Sequence, residues 1–324
     1  MKLDLSAFEN WDRLNWQLAS RFQIPSEISV RCSQGLPSAI YELAIGVAQF
    51  YSHKKSAAVI TGRTPHDQWI WPYLFKEGYQ VQQLAAEKSA TEIVASLHKD
   101  INFVLVCEDH PITGEIYPVD ELETLLNEKK IFCFRISHQA HFFKPTSIQP
   151  YTARICSWSP RLAVAFVGPK IKSQPMISPA LDWNEQQVLH EMDLIQQETL
   201  QDEKAVLDFE KKIGGTGLQV FSVAAQRCYD RSLIYSSEIG GEALQKSLAQ
   251  LLGITLAPPG WERRLETTHL CRWGGIRHYE WWQGRPADDV LRGLIALDIS
   301  LIKNSRIHEF LDKASQECRF VQQP

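Results

Sequence analysis

The sequence predicts an α/β protein with a mainly parallel sheet flanked by helices, followed by a smaller α+β region. Two observations support this class. In the first half of the chain, short apolar runs alternate with segments in which apolar residues recur at helical spacing. Helical segments of about 10 to 15 residues between strands are long enough for the crossover connections that join parallel strands. After residue 180 this alternation stops, and a long charged helical region follows.

The predicted elements of the first half follow from this alternation. Strands are predicted over Ala57–Thr61, Val81–Leu84, Asn102–Cys107, Ile131–Ile136, Ala153–Ser157 and Leu162–Val167. Helices are predicted over Ser38–Phe50, Asp67–Glu77, Ala90–Lys99 and Val119–Lys130. The first of these helices follows Gly35 and Pro37, and both residue types are common where helices begin.

The second half predicts a connecting region and a small domain. Helical segments are predicted over Leu181–Lys212, Gly241–Leu252, Asp288–Ser300 and from Ile307, and strands over Ile254–Ala257 and His269–Trp273. We therefore expect four parts: an N-terminal arm (1–30), a large α/β domain (31–180), a connecting helical region (181–215) and a small α+β domain (216–324).

Composition excludes several classes of protein. The chain has 324 residues, of which 44% are hydrophobic and 22% charged, as in ordinary globular proteins. The formal net charge of −4 argues against nucleic-acid binding through a basic surface. The seven cysteines form no CxxC pair, and their odd number favours reduced thiols. With neither a signal-peptide pattern nor a run of about 20 apolar residues, we expect a cytoplasmic protein with no membrane or nucleic-acid partner.

One motif resembles a known family. Cys107-Glu108-Asp109-His110-Pro111-Ile112-Thr113-Gly114 follows a predicted strand and resembles the NNPTG or NNETG turn of fold-type-I pyridoxal-phosphate (PLP) enzymes, the aminotransferases and cysteine desulfurases. Other segments resemble further motifs of this family in the same order: 32–40, 60–66, 78–81, 157–161, 166–170, 253–260 and 269–272. The resemblance covers most of residues 30–300. It implies a PLP-dependent transferase fold and a homodimer whose sites form between subunits.

The resemblance also implies a set of cofactor and substrate contacts. The cofactor-binding positions are Gly35, Ser38, His66, Asp109, His110 and Gln139, and the substrate-carboxylate position is Arg272. Gly35 and Ser38 match the loop that holds the PLP phosphate, although such a helix start serves equally as an ordinary N-cap. His66 stands where a stacking aromatic is common, with a surface histidine as the alternative. Arg272 suits a carboxylate because a guanidinium can bind it through two hydrogen bonds, or it pairs with an acid of the small domain.

The residues that perform PLP chemistry depart from the family pattern. Arg161 stands in place of the Schiff-base lysine, and a guanidinium stays protonated and forms no imine. Lys170 and Lys172 lie nearby in sequence and are the fallback positions. Arg135–Gln139 stands where the family has vDaaQ, and only Gln139 matches, so the acid that pairs with the pyridinium nitrogen is missing. We therefore expect no covalently held cofactor.

Two functional hypotheses remain, and a third is weaker. In the first, the chain is a non-catalytic binding or interaction module, a homodimer with a small anionic ligand in the vestigial cofactor cleft. In the second, it is an active aminotransferase-type enzyme that uses a displaced lysine or a PLP that is not covalently bound. In the third, it is an unrelated nucleotide-binding α/β domain. In each case we expect the ligand beyond the carboxyl ends of the parallel strands, near Asp109, His110, Ser137 and Ser157.

Three other motifs give no strong indication of a catalytic or cofactor-binding site. His110, His138 and His141 lack the HExxH pattern of a zinc site, so no metal is expected. Gly214–Gly217 indicates a helix stop rather than a dinucleotide-binding loop, because no clear strand precedes it. The tryptophan-rich stretch 273–282 is predicted as a hairpin whose tip could contact another subunit, with a ligand cleft and core packing as alternatives.

Overall fold

The protein's structure is a computed structural model that falls into two compact units. It describes residues 5–21, 23–33, 35–50, 55–61, 74–75, 78–86, 88–109, 115–137, 148–159, 162–171, 202–213, 218–220, 227, 229, 231–235, 241–252 and 294–313. The first unit comprises Met1–Asp109 and Tyr117–Glu198, and the second comprises His110–Ile116 and Thr199–Pro324. The predicted N-terminal arm is thus grouped with the first unit, and the predicted connecting region is divided between the two.

The first unit is built on a seven-stranded sheet with the strand order β1-β7-β6-β5-β4-β2-β3. The strands are β1 (Ser29–Ser33), β2 (Ser56–Thr61), β3 (Gln80–Ala85), β4 (Phe103–Cys107), β5 (Phe132–Ser137), β6 (Thr152–Ser159) and β7 (Leu162–Val167). Strands β3, β2, β4, β5 and β6 are parallel neighbours, whereas β7 runs antiparallel to both β6 and β1. The prediction of a mainly parallel sheet is confirmed.

Helices cover both faces of this sheet. They are α1 (Leu5–Arg21), α2 (Gly35–Phe50), α3 (Ala90–Ser96) and α4 (Asp120–Glu128). Because successive side chains of a strand point to opposite faces, Phe103 packs with α2 while Val104 packs with α3 and α4. Helix α1 covers the remainder of the second face, where its Leu18 packs with Phe166. The result is a sheet enclosed between two helical layers, as a parallel sheet requires.

The border strand β3 is held by side-chain contacts to helix α3. The Gln82 side chain donates to the Ser96 carbonyl at 2.7 Å and accepts the His98 N–H at 3.0 Å. At the other end of α3, Ser89 and Glu92 form a capping box. These contacts fix the helix against the edge of the sheet.

The second unit contains an antiparallel sheet of three described strands in the order β10-β9-β8. The strands are β8 (Gln219–Val220), β9 (Arg231–Tyr235) and β10 (Leu294–Asp298), and the helices are α5 (Glu203–Ile213), α6 (Gly241–Leu252) and α7 (Ile299–Ile302), with residues 307–313 also helical. Its core contains Phe209, Ile234, Leu248, Leu297 and Phe310. This unit has its own apolar core.

Two sequence predictions are corrected by the structure. Asp288–Ser300 was predicted as a helix, but Leu294–Asp298 is strand β10, paired antiparallel with β9. Ile295 and Leu297 are both buried two residues apart, as the strand period places them on one face, and sheet pairing outweighs the helical spacing of the leucines. No strand was predicted over residues 29–33, but they form β1, in which buried Val30 and Cys32 alternate with Arg31.

Some predicted elements lie wholly or mostly outside the described residues. They are the helices over Asp67–Glu77 and Leu181–Lys212, the strands over Ile254–Ala257 and His269–Trp273, and the tryptophan-rich stretch 273–282. Across the described ranges, no helix has both the length and the apolar character needed to cross a membrane.

Gly168 lies in a tight turn that follows β7. Its N–H donates to the Thr152 carbonyl at 2.8 Å, and the Lys170 N–H donates to the Pro150 carbonyl at 3.0 Å. A Cβ at residue 168 would lie 2.4 Å from the Gln149 carbonyl oxygen and 2.7 Å from that of Pro150. Both neighbours are backbone atoms, so they cannot yield without distorting the turn.

We expect Gly168→Ala to lower the free energy of unfolding by about 2 to 3 kcal/mol, because it forces carbon into an occupied space. Gly78→Ala is the matched control. A Cβ there meets only the Lys55 side chain, at 3.7 Å, so the cost comes from the φ of 84° and is about 1 kcal/mol. Urea unfolding of both variants measures the difference. Equal losses would contradict the assignment of Gly168 to a close backbone approach.

Tyr79 places a hydroxyl in the core beneath α2. The residue is 2% exposed, and its ring centroid lies 5.7 Å from that of Phe103. Its hydroxyl oxygen has no hydrogen-bond partner among the described residues. Burial raises the pKa of Tyr79 to about 12. The hydroxyl therefore costs stability rather than adding to it.

We expect Tyr79→Phe to raise the free energy of unfolding by about 1 kcal/mol at neutral pH, because it removes an unsatisfied buried polar group. An unfolded tyrosine ionises near pH 10, below the pKa of buried Tyr79, so ionisation destabilises the wild-type fold as pH rises from about 10 to 12. The advantage of phenylalanine should grow over that range. Urea unfolding at neutral pH and near pH 11 tests this, and an advantage that does not grow would contradict it.

Candidate functional site

The carboxyl edge of the first sheet brings together several residues that the sequence analysis singled out. Because β7 alone runs in the opposite direction, β1 to β6 all end at this edge. Helix α2 begins there at Gly35, just after β1 ends. Asp109 follows β4, Ser137 ends β5 and Ser157 lies near the end of β6. We call this region, defined by Gly35, Asp109, Ser137 and Ser157, the carboxyl-edge site.

The start of α2 supplies backbone N–H groups to this edge. Gly35 is buried and has a φ of 78°, a conformation that favours glycine, and Ser38 is half-buried in the first turn. The Ser33 hydroxyl donates to Glu42 at 2.7 Å. Burial lowers the pKa of Arg31, and the nearby Glu42 carboxylate opposes this shift. The first-turn N–H groups and the positive end of the helix dipole favour an anion at this position.

Asp109 is a buried carboxylate at the end of β4. It is 4% exposed, and the preceding residue, Glu108, is 5% exposed. Asp109 lies at the carboxyl edge, and its role near a ligand stays a prediction. The remaining predicted positions lie outside the described residues and stay predictions. They are His66, His110, Gln139, Arg161, Lys172 and Arg272, together with the metal candidates His138 and His141. Within the described ranges, no three His, Cys, Asp or Glu side chains are grouped so as to hold a metal ion.

Ile136 occupies the position where the family pattern has the acid that pairs with the pyridinium nitrogen. It is fully buried in the apolar cluster beneath α2, together with Leu36 and Cys107. By strand alternation, the neighbouring Arg135 and Ser137 point to the opposite face. The end of β5 therefore presents an apolar surface to the α2 side, and these described residues do not fit a protonated pyridine ring.

Lys170, the fallback position for the Schiff-base lysine, lies at the opposite edge of the sheet. It follows β7, and its N–H bonds to Pro150, just ahead of β6. The strands between the two edges span about 20 Å, which is longer than a lysine side chain. Four other lysines precede strands at that same opposite edge: Lys55, Lys99, Lys129 and Lys130. Lys88 follows the border strand β3 and is exposed. In the described part of the first unit, no lysine therefore projects from the central strands at the carboxyl edge.

A buried ionic network lies on the other face of the sheet, just below the carboxyl edge. Glu108 contacts two guanidiniums, with one oxygen 2.6 Å from Arg135 Nε and the other 2.5 Å from Arg154 Nη2. Arg135 also pairs with Asp120, at 2.8 Å, and with Glu123, both on α4. Sequence reasoning missed this network. The available signal was a charged residue, Arg135, within an otherwise apolar strand, because a buried charge requires partners.

The electrostatics of the network keep Arg135 charged. Burial alone would lower the pKa of Arg135, but the carboxylates of Glu108 and Glu123 outweigh it and hold the pKa above its ordinary value. Burial raises the pKa of the adjacent Cys133 and Cys156 thiols. These cysteines therefore stay protonated and are poor nucleophiles.

The strand order and helical layers are those of the PLP-dependent transferases of fold type I, the fold of aminotransferases and cysteine desulfurases. Among solved structures, a NifS-like protein superposes with a TM-score of 0.67 at 15% identity, covering 99% of this chain and 90% of its own. The apo cysteine desulfurase from Thermococcus onnurineus superposes with a TM-score of 0.66 at 10% identity, and the match covers 99% of this chain and 86% of the desulfurase. A phosphoserine aminotransferase from Cytophaga hutchinsonii superposes with a TM-score of 0.55 at 11% identity, and the match covers 98% of this chain and 90% of the aminotransferase. The sequence matches no family model and no curated protein.

We expect Glu108→Gln to lower the free energy of unfolding by about 3 kcal/mol, because it removes the carboxylate shared by buried Arg135 and part-buried Arg154. Glu128→Gln, on the exposed surface of α4, is the control and should stay within about 0.5 kcal/mol of wild type. Urea unfolding measures both. Similar effects at the two positions would show that the network contributes no more than a surface charge.

Proposed function

We propose that this protein is a non-catalytic binding module built on the fold of PLP-dependent transferases. The observation that carries the proposal is Ile136, an apolar residue at the position where that chemistry needs a carboxylate. A PLP ring draws electrons from its substrate when its ring nitrogen is protonated and paired with an acid. With Ile136 packed beneath α2, the end of β5 cannot supply that acid.

The lysine positions support the same proposal. Arg161 matches the reactive position in sequence, and a guanidinium does not form an imine. Lys170 lies at the wrong edge of the sheet for a ligand at the carboxyl ends. The buried thiols of Cys133 and Cys156 offer no alternative nucleophile, because burial raises their pKa values.

The module would bind a small anionic ligand at the carboxyl-edge site. The first turn of α2 offers backbone N–H groups at Gly35 and a hydroxyl at Ser38, which are suitable donors for a phosphate or carboxylate. By the family resemblance, the protein would act as a homodimer, and PLP itself would bind, if at all, without a covalent link. The compartment we propose is the cytoplasm.

The second candidate is an active aminotransferase-type enzyme. It is favoured by the extent of the structural similarity, which reaches 99% of this chain and 90% of the NifS-like protein. This candidate requires an amine within reach of a cofactor aldehyde. Lys172, the second fallback position, lies outside the described residues and is the amine that we consider for this candidate.

Borohydride trapping distinguishes the two candidates. The purified protein is incubated with PLP, its near-visible absorbance is recorded, and it is reduced with borohydride before peptide mapping. We expect no specific absorbance band and only scattered low-level labelling of exposed lysines. Stoichiometric labelling of a single lysine would contradict the proposal and identify the reactive amine.

Two variants sharpen this test. If Lys172 is labelled, Lys172→Arg should remove the signal, because arginine keeps the charge but forms no imine. Lys170→Arg is the matched control and should leave the labelling pattern of every other lysine unchanged.

A further inference from the structure

The α2 side of the carboxyl edge divides into an apolar half and a polar half. In the apolar half, Cys107, Ile136 and Ile155 are register partners on β4, β5 and β6, and all three belong to the cluster beneath α2. Each of the three is fully buried. We call these three residues the apolar row.

The polar half lies where β1, β7 and β6 end beside the start of α2. Ser157 follows Ile155 by two residues on β6, so it lies on the same face, nearer the edge, and it is half-buried. Ser33, the last residue of β1, and Ser157 are both register partners of Ala163 on β7. The Ser33 hydroxyl donates to Glu42, which ties β1 to α2. Polar groups for an anion are therefore found on this half, and the apolar row occupies the other.

We propose that Ile136 determines the ligand class of the carboxyl-edge site by excluding a planar ring, so that the site takes compact anions such as phosphate or a simple phosphate monoester. This inference rests on the proposed function, because it names the class of the anionic ligand. By the family resemblance, the ring of PLP would lie against residue 136, which belongs to the apolar row.

The packing of the apolar row leaves no room for a ring. An aromatic ring needs its neighbouring atoms to stand about 3.5 to 4.0 Å away on each of its two faces. Ile136 and both of its partners in the row are fully buried, so their side chains are already in contact with protein atoms. A ring could reach residue 136 only if the row repacked, and displacing close-packed side chains is unfavourable.

The charges at this edge give a second reason. A protonated pyridine nitrogen in a buried site requires a carboxylate beside it, and the apolar row supplies none. Glu108 and Glu123 pair with Arg135 on the opposite face of the sheet. A protonated ring at residue 136 would therefore be left against apolar atoms, whereas a compact anion in the polar half avoids both costs.

Two phosphate monoesters that differ in their ring test the proposal on the full chain. Methyl phosphate carries the anionic group alone. Pyridoxine phosphate carries the same group on a pyridine ring, without the aldehyde that reacts with lysines. Phosphorus NMR titration gives the ratio of their dissociation constants. In wild type we expect methyl phosphate to bind at least about tenfold more tightly, because its rival must displace the apolar row.

Substitutions in the cluster beneath α2 locate the exclusion. Ile136→Ala opens space in the apolar row and should reduce the ratio by about tenfold. Leu105→Ala is the matched control, because Leu105 is equally buried in the same cluster but lies two residues further from the edge on β4. It should leave the ratio at the wild-type value. If Ile136→Ala does not fold, Ile136→Val decides, and we expect it to reduce the ratio by about twofold.

The possible failures are distinguishable. If wild type binds both esters equally, this inference is overturned and the proposed anionic ligand is not. An unchanged ratio at residue 136, or an equal change in Leu105→Ala, would show that Ile136 does not set the ligand class. If methyl phosphate does not bind at all, the proposed function is overturned and this inference with it.

Discussion

Every side chain of β4, β5 and β7 is buried, so a charge placed in these strands must find its partners inside the protein. Arg135 is that charge, at the centre of the sheet. Its need for partners fixes Glu108 at the end of β4 and orients the acidic first turn of α4 toward the sheet. The same guanidinium thus joins a strand exit and a helix start, and Glu108 extends the network to Arg154 on the neighbouring strand β6.

The network also divides the carboxyl edge by chemical character. On the α4 side, the strand ends carry paired charges, whereas on the α2 side they carry Cys107 and Ile136 in an apolar cluster. At the end of β5 the α2 side carries apolar Ile136, while Glu108 and Glu123 pair with Arg135 on the α4 side. The fold is similar to that of fold-type-I transferases, and the paired charges at this edge stabilise it.

The architecture could be predicted from the sequence because the spacing of apolar residues along the chain reflects which side chains are buried. Helix α6 was predicted with its observed bounds, and the central strands to within a few residues. Strand β1 and strand β10 were missed because edge strands and short strands carry weak alternation, which sheet pairing then decides. An apolar residue at position 136, where the motif that the sequence resembles has an acid, was visible in the sequence, but the burial of Ile136 was not. The pairing of Arg135 with Glu108, 27 residues apart along the chain, depends on a register that only the folded sheet supplies.

The division of the chain into two units limits how its gene can be rearranged. The second unit takes seven residues, His110–Ile116, from the middle of the segment that otherwise builds the first. If the chain were divided after residue 198, the C-terminal fragment would lack Glu115, whose strand bridge to Arg227 lies within the second unit. Neither unit can therefore be exchanged, duplicated or fused as one uninterrupted stretch. Recombination within this gene would have to preserve the short insertion together with the C-terminal half.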